Sequence, residues 1–159
     1  MGGDFDIGYC DRLSSMSGLE ALQEVGGSLA INAVPGFSSM SGLSGLTTIG
    51  EDLQLKQNSA MSSLTGLEAL SSLGGDLDIQ SNSNLRNLDA LSSLTAVGED
   101  LQIISNATLS DVTGLNNLTA VSGDFSITYN GSLGDSAAYD LVDTIGEDNI
   151  GGSVNITGN

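Results

Sequence analysis

The chain has 159 residues, with 20 Asp and Glu against 3 Lys and Arg, which gives a formal net charge of −17. This charge excludes binding to nucleic acid and disfavours anionic membrane surfaces. The absence of His and the single Cys exclude His-dependent catalysis, His-ligated metals and an internal disulfide. Hydrophobic residues make up 39% of the chain, which predicts a folded core, and no apolar run is long enough for membrane insertion.

A 24-residue unit repeats along the whole chain, which we interpret as one repeat domain over residues 1–159. The units begin at Gly2, Gly26, Gly50, Gly74, Gly98 and Ser122, and a partial copy begins at Gly151. Such a domain is typical of a fragment or module of a larger surface protein.

Each unit opens with a short alternation of apolar and polar residues, which predicts a strand. The apolar pairs are Phe5/Ile7, Leu29/Ile31, Leu53/Leu55, Leu77/Ile79, Leu101/Ile103, Phe125/Ile127 and Val154/Ile156. The rest of the unit has an apolar residue at every third position, as from Leu85 to Val97. A period of three indicates extended or 3₁₀ segments instead of an α-helix. Stacked units would then form a β-solenoid of about seven turns with one parallel sheet.

Two further columns of residues lie near the bends of the predicted coil. Asparagine follows the strand in most units, and buried there it can bond to the backbone of the next turn; these residues are Asn58, Asn82, Asn106, Asn130 and Asn159. Cys10 and Val34 hold the same position in the first two units, so we expect Cys10 to be a small interior residue. Glycines predicted to need close backbone approach or positive φ are Gly18, Gly42, Gly66 and Gly114.

Residues 134–150 break the period of three. Ala138, Leu141, Val142 and Ile145 have helical spacing, which predicts a short amphipathic helix over the side of the solenoid. We expect Asp135 or Ser136 to cap its start and Gly146 to follow its end.

An aspartate begins each strand in most units, at Asp4, Asp52, Asp76, Asp100 and Asp124. One interpretation is a solvated edge whose carboxylates accept backbone N–H groups. The other is weak Ca²⁺ binding between turns by Asp52, Asp76, Asp100 and Asp124, because hard cations prefer oxygen ligands. Ca²⁺ is the one cofactor that this pattern suggests, and the spacing matches no specific calcium loop.

The outward face of the strands varies between units while the core positions do not, which is typical of a ligand surface. Its candidate residues are Asp6, Gln54, Asp78, Gln102, Ser126 and Asn155, with Tyr9 and Tyr129 near the bend as possible sugar-stacking residues. The period-three side is rich in Ser and Thr. This composition is similar to that of flat ice-binding surfaces.

The pattern L-x-I/L-x-x-N-x-x-L followed by L-x-x-L-x-x-L-x-x-I/V-G-G/E-D resembles leucine-rich repeats, and is most similar to the receptor L domain of microbial surface proteins. The resemblance implies a right-handed β-helix that presents ligands on a shared scaffold.

No residue is a candidate for catalysis, because a uniform repeat gives no carboxylate a distinctive environment. We therefore expect a non-catalytic extracellular or cell-surface binding and adhesion module with a protein or glycan partner. The alternatives are self-assembly into a filament or surface layer by solenoid stacking, and ice binding by the Ser/Thr-rich side.

Overall fold

The computed structural model describes residues 2–159, which form two parallel sheets on different sides of a coil. In chain order the strands are β1 (Phe5–Gly8), β2 (Glu24–Val25), β3 (Leu29–Asn32), β4 (Thr48–Ile49), β5 (Leu53–Lys56), β6 (Ser72–Leu73), β7 (Leu77–Gln80), β8 (Ala96–Val97), β9 (Leu101–Ile104), β10 (Ala120–Val121), β11 (Phe125–Thr128) and β12 (Val154–Thr157). The four-residue strands form a seven-stranded sheet in the order β1-β3-β5-β7-β9-β11-β12. The two-residue strands β2, β4, β6, β8 and β10 form the second sheet.

The register of the long strands follows the 24-residue unit, so that Phe5 pairs with Leu29 and Leu77 with Leu101. The chain between the last two long strands is longer than in the other turns, because Phe125 pairs with Val154 and the intervening residues contain helix α1 (Asp135–Ile145). The predicted β-solenoid is therefore confirmed, with two corrections. It has two parallel sheets instead of one, because the two-residue strands of successive turns also pair with each other. It has about five regular turns instead of about seven, because the sixth turn is enlarged by the helix and the seventh unit contributes only a strand.

The apolar columns of the sequence form one continuous core inside the coil. Leu85, Leu88 and Leu91 are fully buried, as are the two strand positions Leu77 and Ile79 of the same turn. On the period-three side the chain forms short 3₁₀ helices at Ser41–Leu43, Asp89–Leu91 and Thr113–Leu115. These short segments turn an apolar residue inward at every third position, as the sequence predicted, and stacking on adjacent turns covers each one.

One bend after each long strand adopts a left-handed backbone conformation that the sequence did not indicate. Six non-glycine residues in this column have φ between 55° and 59°, and Gly158 has φ 73°; the six are Tyr9, Ala33, Gln57, Ser81, Ser105 and Tyr129. A left-handed L-residue costs roughly 1–2 kcal/mol. The inter-turn ladder holds it there, because each bend N–H donates to a carbonyl of the next turn, as Gln57 does to Gln80 at 3.0 Å.

The four glycines predicted to need positive φ or close backbone approach differ in which of the two they show. Gly18 and Gly66 have positive φ, at 103° and 111°. Gly42 and Gly114 do not, but a Cβ on Gly42 would lie 1.8 Å from the Met16 carbonyl oxygen, and one on Gly114 2.1 Å from that of Leu88. Close approach between turns therefore explains the second pair. It applies to Gly66 as well, where a Cβ would lie 2.0 Å from the Met40 carbonyl oxygen.

Two local predictions are wrong. Cys10 is exposed, whereas Val34, one turn further in at the same position, is fully buried. The first described turn has a neighbour on one side only, so its bend is not enclosed. Neither Asp135 nor Ser136 caps α1, because Gly134 is the N-cap residue and makes no side-chain capping bond.

Helix α1 otherwise matches its prediction. Ala138, Leu141, Val142 and Ile145 are its buried residues, and the N–H of Gly146 donates to the Val142 carbonyl at its end. A 3₁₀ turn at Glu147–Asn149 then leads the chain back to β12. Within residues 2–159, the helices are too short or too polar to cross a bilayer.

Candidate functional site

The outward face of the seven-stranded sheet carries two parallel rows of side chains, one residue from each strand in each row. The first row contains all six strand residues expected to face a ligand, in the order Asp6, Ala30, Gln54, Asp78, Gln102, Ser126, Asn155. The second row is Gly8, Asn32, Lys56, Gln80, Ile104, Thr128, Thr157. Asp6 and Asn155 at the ends are exposed, and the middle of the face is half-buried or buried.

A partly buried ion pair lies at the centre of this face. The Lys56 ammonium contacts the Asp78 carboxylate, and the two side chains are 34% and 9% exposed. The second oxygen of Asp78, Oδ1, is buried and has no hydrogen-bond partner in residues 2–159. An unpaired buried polar atom costs roughly 1–3 kcal/mol. The alternation pattern did not single out Lys56, although it is the chain's single lysine and stands one strand from Asp78.

Amide side chains of the two rows connect the face to the aspartate column at the edge of the sheet. Gln54 Nε2 donates to Asp52 Oδ2 at 3.2 Å, and Gln102 Nε2 to Asp100 Oδ2 at 3.5 Å. Gln80 Nε2 donates to Gln102 Oε1 at 3.4 Å. We name the five residues Gln54, Lys56, Asp78, Gln80 and Gln102 the central face cluster. The face and the aspartate column thus form one polar surface, which spacing alone did not indicate.

The aspartates themselves form a ladder along the solenoid. Each Oδ1 accepts the backbone N–H of the corresponding residue one turn later, as Asp52 does from Asp76 at 3.0 Å and Asp76 from Asp100 at 2.8 Å. Asp4 and Asp100 act in the same way on Ser28 and Asp124. The aspartate carboxylates therefore accept backbone N–H groups of the next turn. This arrangement agrees with the first of the two interpretations, a solvated edge of backbone acceptors.

The last carboxylate of this ladder shows the electrostatic result of such bonding. Asp124 Oδ1 accepts the N–H of Ser153 at 2.7 Å and its hydroxyl at 2.9 Å. These bonds, the backbone one first, hold the pKa of Asp124 below its ordinary value. Residues 2–159 hold no group of three or more His, Cys, Asp or Glu side chains that could hold a metal ion, so the geometry gives the calcium interpretation no coordinating cluster.

The asparagine column forms a second ladder inside the bend, and Asn58, Asn82, Asn106 and Asn130 are all fully buried. Asn82 Oδ1 accepts the N–H of Asn58 at 3.0 Å, and its Nδ2 donates to the Leu55 carbonyl at 2.8 Å. Here the acceptor lies one turn after the donor, whereas in the aspartate ladder it lies one turn before. Two side-chain ladders of opposite direction therefore run along the edges of the same sheet.

The asparagine ladder ends on the helix. Asp135 Oδ1 accepts both the backbone N–H and the Nδ2 of Asn159, each at 3.0 Å. Asp135, which was expected to cap α1, instead takes the position that the next asparagine would hold.

The two tyrosines lie apart from the central face cluster. Tyr9 is 87% and Tyr129 63% exposed, and they occupy bend positions at opposite ends of the coil. Tyr129 also lies close over Gly158, since a Cβ on that glycine would be 3.0 Å from the Tyr129 ring. The structure does not bring them together into one stacking platform.

Several hydroxyls of the Ser/Thr-rich side donate hydrogen bonds to backbone carbonyls within the fold. Thr47 and Thr119 donate to carbonyls of the preceding turn at 3.0 Å, and Ser93 does so at 2.6 Å. These hydroxyls stabilise the bent sides of the coil, and ice binding stays a prediction.

Comparison of the chain with family models, with curated proteins and with solved structures found no match.

Proposed function

We propose that the protein is a non-catalytic binding module, and that its ligand surface is the outward face of the seven-stranded sheet around the central face cluster. The partner is a protein or a glycan. The observation that carries this proposal is the Lys56–Asp78 pair, in which Asp78 is buried and its Oδ1 has no partner in residues 2–159.

A buried ion pair is poor evidence for a stabilising role, because the loss of solvation offsets the attraction between the charges. This pair also lies outside the apolar core, which closes on the other side of the sheet. Both neighbours of Asp78 in its row are glutamines, whose side chains can rotate to admit a partner's hydrogen-bond donor. A donor placed on Oδ1 would remove the cost of the unpaired oxygen and add specificity.

The rest of the fold supports the same role. Core positions repeat in every turn, whereas the outward rows combine amide, carboxylate, ammonium, hydroxyl and aliphatic groups. A rigid scaffold with a varied surface is suited to recognition, because little conformational entropy is lost when it binds.

The proposal includes an extracellular or cell-surface location and a relationship to the receptor L domains among leucine-rich repeats. The order of elements within each turn, a short strand followed by a leucine side with period three, supports that relationship. The negative charge of −17 supports a saline setting, since salt screens repulsion between exposed carboxylates.

A binding screen with matched variants tests the proposal. The wild type would be applied to a glycan array and used for affinity capture, alongside the face variant Gln54→Ala/Gln102→Ala and the control Gln23→Ala/Gln57→Ala, whose amides are exposed elsewhere. We expect the face variant to lose at least tenfold in affinity for the captured partner, with the control unchanged. Equal loss in both variants, or no partner in either screen, would count against the proposal.

Self-assembly by end-to-end stacking is the second candidate. It is favoured by apolar side chains that the terminal strands leave partly uncovered, since Val154 is 39% exposed and Phe5 and Ile7 are half-buried. Light scattering at high protein concentration tests it. A mass that grows with concentration, and that Val154→Asp reduces, would support stacking, whereas a constant monomer mass would exclude it.

A further inference from the structure

A groove of about 400 Å³ lies between helix α1 and the side of the preceding turn, away from the sheet face. One wall comes from residues 110–116 and the other from α1. The groove exists because the regular period-three side is replaced by a helix here, so the two walls do not follow the spacing of stacked turns.

The groove combines an apolar base with an acidic rim. Val112 and Leu141 are nearly fully buried at its base beside the half-buried Ala137. Asp111 stands on the solenoid wall and Asp140 on the helix wall, and none of the nine lining residues is basic. Thr113 holds the pKa of Asp111 below its ordinary value through its hydroxyl and its N–H, so this carboxylate is ionised at neutral pH.

Two other grooves show why the apolar base matters. One lies around Glu68 and Asp89 and the other around Asp100 and Asp124, and in both the lining surface is more polar than apolar, whereas at α1 it is more apolar. A bare divalent cation would find two carboxylates at α1, and the described chain offers no set of three. Its chemistry therefore suits a ligand with both a positive charge and an apolar part.

We propose that this groove binds a small organic cation, a primary ammonium group attached to a short apolar body. The ammonium group donates to the carboxylates of Asp111 and Asp140 across the groove, with the hydroxyls of Thr113 and Thr144 as further acceptors. The apolar body packs over Val112 and Leu141. The overall negative charge of the chain raises the local concentration of such cations. This site is separate from the sheet face and does not depend on the function proposed for it.

Phenethylammonium is a suitable probe, with phenethyl alcohol as its uncharged analogue. Each would be titrated into the full ¹⁵N-labelled chain and followed by two-dimensional NMR. We expect the ammonium to shift backbone signals of residues 110–116 and of α1 with a Kd on the order of 1 mM, and the alcohol to bind at least tenfold more weakly. Equal binding of both compounds, or shifts confined to other parts of the chain, would overturn the proposal.

Charge variants separate a built site from general attraction to an acidic protein. Asp140→Asn and Asp111→Asn should each weaken phenethylammonium binding about threefold to tenfold. Asp143→Asn makes the same change of charge at an exposed position of α1 outside the groove, and should leave the Kd unchanged. A loss as large for Asp143→Asn as for Asp140→Asn would show that only net charge matters.

Discussion

The asparagine column explains how the chain can bend at a residue with positive φ and then return directly into the core. At each bend the strand hydrogen bonding stops, and backbone groups would be left without partners in an apolar interior. Each asparagine supplies an acceptor for the N–H of the preceding turn and a donor for a strand carbonyl. The bend residue itself is then free to vary, from alanine to tyrosine.

Asn82→Ala should therefore be strongly destabilising. It leaves the Asn58 N–H buried without its partner, at roughly 1–3 kcal/mol, and removes the bond to the Leu55 carbonyl, at about 1 kcal/mol. Asn84→Ala is the matched control, because Asn84 donates to the Ser59 carbonyl at 2.6 Å but is exposed, so water can replace it. Urea unfolding should show a loss of roughly 2–4 kcal/mol for the first variant and under about 1 kcal/mol for the second. Similar losses would contradict a special role for the buried column.

At the scale of elements, the ladders join α1 to the last strand. Asp135 accepts two bonds from Asn159, and Asn159 in turn accepts from Asn130 and donates to the Ile127 carbonyl at 2.8 Å. The helix is thus tied to the same hydrogen-bond column as the regular turns, in addition to its apolar contacts.

Asp135→Ala should loosen this end of the solenoid without unfolding the rest. Hydrogen exchange should become faster, by about tenfold or more, for amides of β12 and for Asn159, while β5 and β7 keep the exchange rates of the wild type. Asp143→Ala, an exposed change on the same helix, serves as the control. A uniform change across all strands would mean that the last turn is not an independent unit.

The aspartate ladder gives the same end a dependence on pH. The pKa of Asp124 in the folded chain lies below its ordinary value of 3.8. The stabilisation is therefore present above pH 3.8 and lost as pH falls through the folded pKa. Asp124→Asn keeps an acceptor oxygen but cannot titrate. The free energy of unfolding of the wild type relative to this variant should stay level from about pH 7 to pH 5 and decrease in acid. A constant difference down to about pH 2.5 would contradict the assignment.

At the scale of the whole molecule, the sequence predicts the architecture because each unit buries the same positions against its neighbours. Five regular turns in register leave few other arrangements for the strands and the leucine side. The bend conformation could not be predicted in this way, since the residues with positive φ share no side-chain type. Nor could the bond from Asp135 to Asn159, because it joins an irregular insertion to a repeat position.

The candidate face was only partly predictable for a related reason. Alternation within each strand places Gln54, Asp78 and Gln102 in one row, and the register confirms it. The ion pair with Lys56 runs diagonally between adjacent turns, and such contacts depend on side-chain rotamers. The same holds for the groove at α1, whose width depends on how the helix packs.

The role of the sheet face is tested most directly by replacing the ion pair with apolar residues of similar size, Lys56→Met together with Asp78→Leu, and measuring stability and partner binding on the same sample. If the pair serves recognition, the free energy of unfolding should change by less than about 1 kcal/mol or rise, because the desolvation cost disappears with the charges. Affinity for the captured partner should fall at least tenfold. A large loss of stability with unchanged affinity would contradict the account and make the pair a structural feature of the sheet.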